Sequence, residues 1–426
     1  MRPCTTGRPA NPRVPRIAFY LWNFPGGGLE QVTLTLIQAF VAQGYQVDLV
    51  LEHRSGAYLA LLPVQVRCVA LELGSKWEAC RRLLLCWPGE GLRLAARMIW
   101  RSADHIPLAR LLSLARYMEQ ERPDVLFASA GRSPFLALWA KRIARDACRV
   151  VIAEHSTFSA RLKAARHDQH AYRRKRYRKE LIGRLYSRAD ALVAVSTGVA
   201  DDLVKTANVS RDAIEVIHNP VVTAELLSAA EHTPQHEWFL DPDIDVVLAA
   251  GRLAPEKQFE QLIAAFAELC SDRPEFRLLI VGEGPERDRL TRCVHELQLE
   301  QRVSMPGWVD NPYALMRHSR LFVLCSRFEG LPVALIEALA CGCPVVATDC
   351  PSGPREILDD GRYGQLVPVG DVPALAAAIS LELDNPHAPE ELQARSQYFS
   401  EERAVTAYQA LIKRLSRERL SNRAET

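Results

Sequence analysis

The residues best suited to chemistry gather in the second half of the chain. Gly251-Arg252-Leu253 ends a short apolar run, and Glu256 and Lys257 follow closely. A glycine lets backbone approach a ligand, and an arginine plus a lysine on one loop offer two cations to a diphosphate. The same residues also suit a plain solvated loop. Further on, the run SRFEGLPVALIE sets Glu329 and Glu337 with seven residues between them. Glu329 leaves an apolar run with Gly330 and Leu331 beside it, and Pro332 reads as the first position of a helix. Amides of that first turn would face an anion, and carboxylates accept hydrogen bonds from sugar hydroxyls. Alone, the pair would be two solvated glutamates; the glycine, the helix start and two more glycine-bearing loops favour a ligand site.

Those two loops are Val281-Gly282-Glu283-Gly284-Pro285 and Gly307-Trp308-Val309. Glycine and proline serve any strand-to-helix turn, and Trp308 suits packing as well as a ligand platform. In the first half, Gly26-Gly27-Gly28 precedes Glu30 and reads equally as a tight turn or a place where backbone meets a ligand. His155 stands with Glu154 and Ser156 straight after a strand-like run, open between structural and ligand-facing roles. Ser196-Thr197 and His218-Asn219-Pro220 read as structural.

Two sets of alternating elements must position these loops. Residues 16–22, YQVDLVLE, Val64–Leu71, Asp124–Ala128, Val150–Ala153 and Ala191–Ser196 read as strands, and Leu29–Gln43 reads as a helix stopped by Gly44. The rhythm restarts after Asn219-Pro220. Strands are expected at residues 246–252, FRLLIVGEG, VSMPGW, LFVLCS and PVVATD. Helices are expected over Phe259–Cys270, from Pro285, near Tyr313–His318 and over Pro332–Ala340. Strand–helix alternation implies parallel sheets, so the fold class is α/β with two doubly wound domains. The expected boundaries are 1–219, 220–389 and a C-terminal helical stretch over 390–426, its helix running from Glu390 to about Arg419 and crossing back to the first domain.

Composition bounds the rest. With 426 residues, 48% of them hydrophobic and 24% charged, the chain can bury sizeable cores and is not disordered as a whole. No apolar stretch is long enough to span a bilayer, and the N-terminal run is too short for a signal-peptide core, so a cytoplasmic protein is expected. Eleven scattered cysteines without a CxxC pair read as buried, reduced thiols. The net charge of +2 hides an asymmetry: residues 1–220 hold 33 Lys+Arg against 19 Asp+Glu, and the remainder 20 against 32. The basic half should therefore face something anionic. Arg161–Arg188 carries eleven basic residues among Tyr172, Tyr177 and Tyr186, and Lys76–Arg101 sets Trp77, Trp87 and Trp100 among leucines and six basic residues. Basic helices edged with aromatics suit an anionic membrane surface, whereas no nucleic-acid-binding module is present. Asp241, Asp243 and Asp245 have formal DxD spacing but precede a strand, on the wrong side for a strand-end site, so no metal is expected.

Together GRLAPEK, VGEGP, GWV and SRFEGLPVALIEALACGCPVVATD resemble the donor-binding half of glycosyltransferase family 4, which has the GT-B architecture. The resemblance covers roughly residues 16–410, and the block over 326–349 is its most specific part. It implies retaining transfer of a hexose or N-acetylhexosamine from a nucleotide-diphosphate sugar, with UDP-sugar ahead of GDP-sugar, and no metal or other cofactor. It gives the acceptor as a glycan or a polyprenyl-pyrophosphate-linked glycan at the cytoplasmic face of the membrane. Arg252 and Lys257 would hold the diphosphate, Glu329 the transferred sugar and Glu337 the ribose. Gly251, Gly282, Gly307, Trp308, Val309, Gly330 and Leu331 would line the donor site. Gly27, Gly28 and His155 would approach it from the first domain. Where many members carry a Gly-Gly pair, this chain has Cys350-Pro351-Ser352-Gly353, a variant resembling transferases that extend bacterial surface or lipid-linked glycans, with Glu356 standing where the family has a donor-facing glutamate. A sugar-nucleotide epimerase of the same architecture, or a catalytically silent nucleotide-sugar binder, is the alternative; the Arg252, Lys257, Glu329 and Glu337 set argues against both.

Overall fold

Thirteen strands form two parallel sheets in the computed structural model, which describes residues 15–100, 108–129, 131–166, 168–207, 209–270 and 273–424. Residues 1–14 and Arg101, both used in the sequence reading, lie outside the described residues.

The first sheet comprises β1 (Arg16–Leu21), β2 (Gln46–Leu51), β3 (Arg67–Ala70), β4 (Val125–Ser129), β5 (Arg149–Glu154), β6 (Ala191–Ala194) and β7 (Ile214–Val216), in the order β3-β2-β1-β4-β5-β6-β7. The second comprises β8 (Asp245–Ala250), β9 (Phe276–Val281), β10 (Val303–Gly307), β11 (Leu321–Leu324), β12 (Val345–Thr348) and β13 (Gln365–Val367), in the order β10-β9-β8-β11-β12-β13. Each sheet starts at a central strand, winds outward, then reverses. The reversal sets β1 beside β4 and β8 beside β11. At such a switch point the loops leaving two adjacent strands diverge and open a crevice.

The apolar runs form central strands because both faces are covered by helices. In the second sheet Val247, Leu278, Ile280, Val323 and Val346 are buried together with Leu262, Ile263, Phe266 and Ile379 of the helices Phe259–Cys270 and Val372–Asp384. The helix Gly28–Ala42 buries Val32, Leu36, Ile37 and Phe40 at helical spacing and ends just before Gly44, whose φ of 82° no β-branched residue would adopt readily.

Two strands escaped the sequence reading, and two expectations are corrected. β7 and β13 are three residues each; IEV and QLV are too short to stand out from loops in sequence, and pairing to β6 and β12 makes them strands. Pro332 caps the helix Val333–Ala340 from outside, with ψ of 106°, and does not occupy its first turn. The C-terminal stretch is no single helix: it runs Pro389–Ser396, a 3-10 turn over Gln397–Phe399, then Glu401–Ala424. The break is made by backbone pairing, since Val221 and Val222 N–H donate to the Phe399 carbonyl and Glu401 N–H donates to the Val222 carbonyl.

By packing, the chain divides into one unit reaching Val151, completed by residues from Ile412 onward, and another spanning Ile152–Leu411.

Candidate active site

The strand ends of the second sheet are locked to one another by backbone, and this is where the glycines act. Gly251 N–H donates to Val281 O at 3.0 Å, and Gly282 N–H donates to Gly307 O at 2.8 Å. A Cβ on Gly282 would lie 2.1 Å from the Gly251 carbonyl oxygen, and one on Gly284 2.3 Å from that of Leu253. Gly251, Gly282 and Gly307 all have positive φ. These glycines thus let three strand-end loops nest closely, which fixes where the first of them presents its cations.

On that loop the two cations differ sharply. Arg252 is exposed and its guanidinium donates to Glu256 Oε1 at 2.5 Å, within its own loop. Burial works to raise the Glu256 pKa, but backbone hydrogen bonding and Arg252 outweigh it and hold the carboxyl below its ordinary range. Lys257 is largely enclosed, and its Nζ donates to Glu329 Oε1 at 2.6 Å. Burial would lower the Lys257 pKa; the Glu329 charge and hydrogen bond more than reverse that, so the ammonium is held charged. The meeting follows from the sheet: Lys257 lies beyond β8, Glu329 beyond β11, and β8 and β11 are neighbours at the switch point.

The Glu329–Leu331 loop is itself held from both sides. Ser196 and Ser352 hydroxyls reach the Gly330 carbonyl at 2.9 and 2.7 Å, and Thr157 Oγ1 donates to the Glu329 carbonyl at 3.3 Å. A Cβ on Gly330 would fall 2.0 Å from the His155 carbonyl oxygen, so only glycine allows the loop after β5 to approach. Burial pushes the His155 imidazole down to about 4, leaving it neutral near pH 7. Leu331 is buried. Ser196, read from sequence as structural, is one of the hydroxyls that fix this loop.

Glu337 sits in the helix Val333–Ala340, nearly buried, where Tyr313 OH donates to its Oε1 at 3.3 Å. Trp308 is exposed and Val309 half-buried on the loop after β10. Glu356 accepts from the Thr197 amide and hydroxyl and lies 2.7 Å from His218 Nε2. Those partners override its burial and hold its carboxyl below the usual range. Glu356 is thus committed to a bracket near the end of the β6 and β7 loops. Gly27 and Gly28 start the helix Gly28–Ala42 of the first unit, and Glu30 follows in its first turn with burial raising its pKa.

Arg161 is the residue sequence reasoning placed elsewhere. Counted there among membrane-facing cations, it lies in the helix Phe158–Ala164 and donates to Ser156 Oγ at 3.1 Å. Crowding by protein lowers its pKa, with Arg178 and Arg252 adding to the effect and Glu154 and Glu256 opposing it. Its position in the first turn after the His155 loop was the available signal. Asp241, Asp243 and Asp245 lie at the N-terminal end of β8, away from these loops. Among the described residues no group of three or more His, Cys, Asp or Glu is arranged to hold a metal ion.

Two family profiles divide the chain between them: Glycosyltransferase Family 4 matches residues 26–225, and Glycosyl transferases group 1 matches residues 234–401. A Campylobacter jejuni protein, N-acetylgalactosamine-N,N'-diacetylbacillosaminyl-diphospho-undecaprenol 4-alpha-N-acetylgalactosaminyltransferase, is 35% identical over 49% of this chain and 54% of its own length. The lipopolysaccharide 1,6-galactosyltransferase of Salmonella typhimurium is 29% identical over 43% of this chain and 50% of its own. The chain thus spans about half the length of these curated relatives. Among solved structures, Anabaena HepE in complex with UDP and glucose superposes with a TM-score of 0.69 at 21% identity, over 94% of this chain and 99% of that one, a likeness of fold.

Proposed function

Because the chain belongs to the family 4 glycosyltransferases of GT-B fold, we propose that it moves a hexose or N-acetylhexosamine from a nucleotide-diphosphate sugar, a UDP-sugar first, to a glycan or polyprenyl-pyrophosphate-linked acceptor in cell-surface polysaccharide assembly. The observation that carries this reading is the enclosed Lys257–Glu329 pair at 2.6 Å with Arg252 on the same loop. It joins a fixed cation for a leaving diphosphate to a carboxylate for sugar hydroxyls. The activities of the Campylobacter and Salmonella relatives, and the UDP and glucose bound by HepE, support the substrate classes.

In this reading Lys257 and Arg252 stabilise charge building on the diphosphate as the anomeric C–O bond breaks. Arg252 can leave Glu256 for a phosphate, since an exposed pair of this kind contributes at most about 1 kcal/mol. Glu329 accepts from hydroxyls of the transferred sugar, and Glu337, oriented by Tyr313, from the ribose. His155, neutral, can exchange hydrogen bonds with the sugar without adding charge. The acceptor oxygen attacks the anomeric carbon on the face the diphosphate leaves, and its proton passes to a leaving phosphate oxygen, so configuration is retained without a metal ion. With its carboxylate taken up by Thr197 and His218, Glu356 is not assigned to the donor in this reading.

Contact with an anionic membrane surface is part of the same proposal. In the first unit, helices Lys76–Cys86 and Pro88–Trp100 expose Trp77, Leu85 and Leu92 beside Lys76, Arg81 and Arg82, a combination that suits lipid headgroups. No helix among the described residues is long and apolar enough to cross a membrane.

The test is thermal unfolding with UDP, GDP, ADP and their sugar conjugates, with and without divalent ions, followed by product analysis with lipid-linked acceptors. One nucleotide at a hundredfold excess over its dissociation constant should add about 2.7 kcal/mol of stability without metal. A shift that requires a divalent ion would overturn the metal-free site. Nucleotide binding without any glycosyl product would favour a silent binder.

A further inference from the structure

A cavity of about 330 Å³ opens within the unit Ile152–Leu411, where the loop after β7 meets the start of the helix Glu401–Ala424. Arg252, Lys257, Glu329 and Glu337 are not among its lining residues. Backbone fixes its shape, through the pairing of Val221 and Val222 with Phe399 and of Glu401 with Val222. Val216, Ile217, Phe399, Ala404 and Ala407 give it an apolar wall. Asn219 also lines it, is 5% exposed, and makes no side-chain hydrogen bond among the described residues. A buried polar group left unpaired is costly, so this amide marks a place where a partner belongs.

The charges around the cavity select a ligand class. Arg211 and Arg403 line it, and Glu356 is the single carboxylate to do so among the described residues. Both Glu356 oxygens are already taken, by the Thr197 amide and hydroxyl and by His218. Arg211 is oriented by donating to the Ile214 carbonyl at 3.1 Å, and Arg403 is seated over the Tyr398 ring, 4.6 Å from its centroid. Two more charges stand nearby. The exposed Asp201 lies 3.8 Å from Arg211, and Arg395, 5.0 Å from the Tyr398 centroid, donates to the Glu356 and Ile357 carbonyls. Three guanidiniums thus stand against two carboxylates, before any charge on His218, which favours an anion. The volume is at the low end of the roughly 300–1,000 Å³ typical of small-ligand sites, enough for one ring or a short chain. We propose that this cavity is an accessory site for a small organic oxyanion. Arg211, Arg403 and the Asn219 amide hold its phosphate or carboxylate head, and its body packs on the apolar wall. The site also has a route to turnover. Thr197 follows Ser196, and Glu356 lies four residues past Ser352, the two hydroxyls that reach the Gly330 carbonyl. A ligand that shifts the Thr197–Glu356 bracket shifts the loop carrying Glu329. That effect on transfer rests on the transfer reading above; the existence of the site does not.

The experiment is saturation-transfer NMR on the full chain in saturating UDP, titrating phenyl phosphate, benzoate and the neutral phenol. At least one of the two anions should bind, with an affinity that falls about tenfold or more in Arg403→Gln, the loss expected when a charged hydrogen-bond partner is removed. The same affinity should hold in Arg252→Ala, which separates the cavity from the donor loops. Tighter binding of phenyl phosphate identifies a phosphate head and tighter binding of benzoate a carboxylate, and both keep the site. An unchanged thermal midpoint reports that Arg403→Gln is folded. If it is not, Arg211→Gln takes its place with the same expected loss. Silence from both anions, equal binding of phenol, or an affinity unchanged in the folded variant would each overturn the site. Transfer is followed in parallel. The bound anion should change turnover about fivefold or more in the wild-type chain and leave it in place in Arg403→Gln. Binding without that change removes the effect on transfer and keeps the site, whereas absence of transfer with every donor counts against the transfer reading alone.

Discussion

At the residue scale, Arg252 and Lys257 do related work from different environments, and that difference is measurable. Arg252→Ala breaks only an exposed pair within its own loop, so thermal stability should barely change while kcat falls about 10²–10³-fold, as for other lost transition-state contacts. Lys257→Ala should lower both, because Glu329 would lose the cation that compensates its partly buried charge. Glu329→Gln leaves burial acting on Lys257 with less opposition, so the Lys257 pKa drops and the alkaline limb of the pH–rate profile should move to lower pH. An unmoved limb would mean that Glu329 does not hold Lys257 charged. His155 sets a second pH dependence. Its folded pKa of about 4 lies below the unfolded value of 6.5, so the unfolded chain binds the proton first as pH falls. The stability His155 contributes is complete above pH 6.5 and is lost on acidification towards pH 4. Denaturant titrations of His155→Asn should show a shallower loss across that window, and an identical slope would contradict the assignment.

At the scale of elements, the site depends on loops that approach more closely than any side chain allows. Gly330→Ala would drive a methyl into the His155 carbonyl, and Gly282→Ala would combine a clash against Gly251 with a φ of 133° that an L-residue rarely adopts. Each should cost about 1–3 kcal/mol, read as a lower midpoint with an unchanged denaturant slope. Gly330→Ala should also reduce turnover, because the same loop carries Glu329. A neutral stability effect at Gly330 would mean that the loops after β5 and β11 are not seated as described. The motif glycines were visible in the sequence, but as turn formers or ligand contacts; that Gly282 and Gly330 make room for other loops is a fact of packing. Arg178 makes a similar point. In sequence it is one of many basic residues on a stretch suited to an anionic membrane surface, yet it lies 3.7 Å from the buried Glu154 and 5.8 Å from the Phe158 ring centroid.

At the scale of the whole molecule, the uneven charge along the chain and the apolar, basic helices of the first unit bear on membrane contact. Co-sedimentation with anionic vesicles should weaken when Arg173, Arg176 and Lys179, exposed on the helix Gln169–Leu185, are made neutral. It should weaken further with Trp77→Ala and with salt, since screening shortens the reach of exposed charge. Binding that ignores all three changes would remove the membrane from the proposal. The sequence by itself determined the α/β class, the alternation that makes both sheets parallel, and the loops and helix start that carry Arg252, Lys257, Glu329 and Glu337. All of these are local: apolar period, turn residues and short motifs survive in a linear string. Three-residue strands such as β7 and β13 fall below that local signal. Only the tertiary structure decided that Lys257 meets Glu329 across 72 residues, that Glu356 is spent on Thr197 and His218, and that Arg211 and Arg403 line one cavity. The reason is topological. A doubly wound sheet reverses its strand order, so the strands whose loops share a crevice are not consecutive in the chain, and no periodicity records which distant residues that reversal brings together.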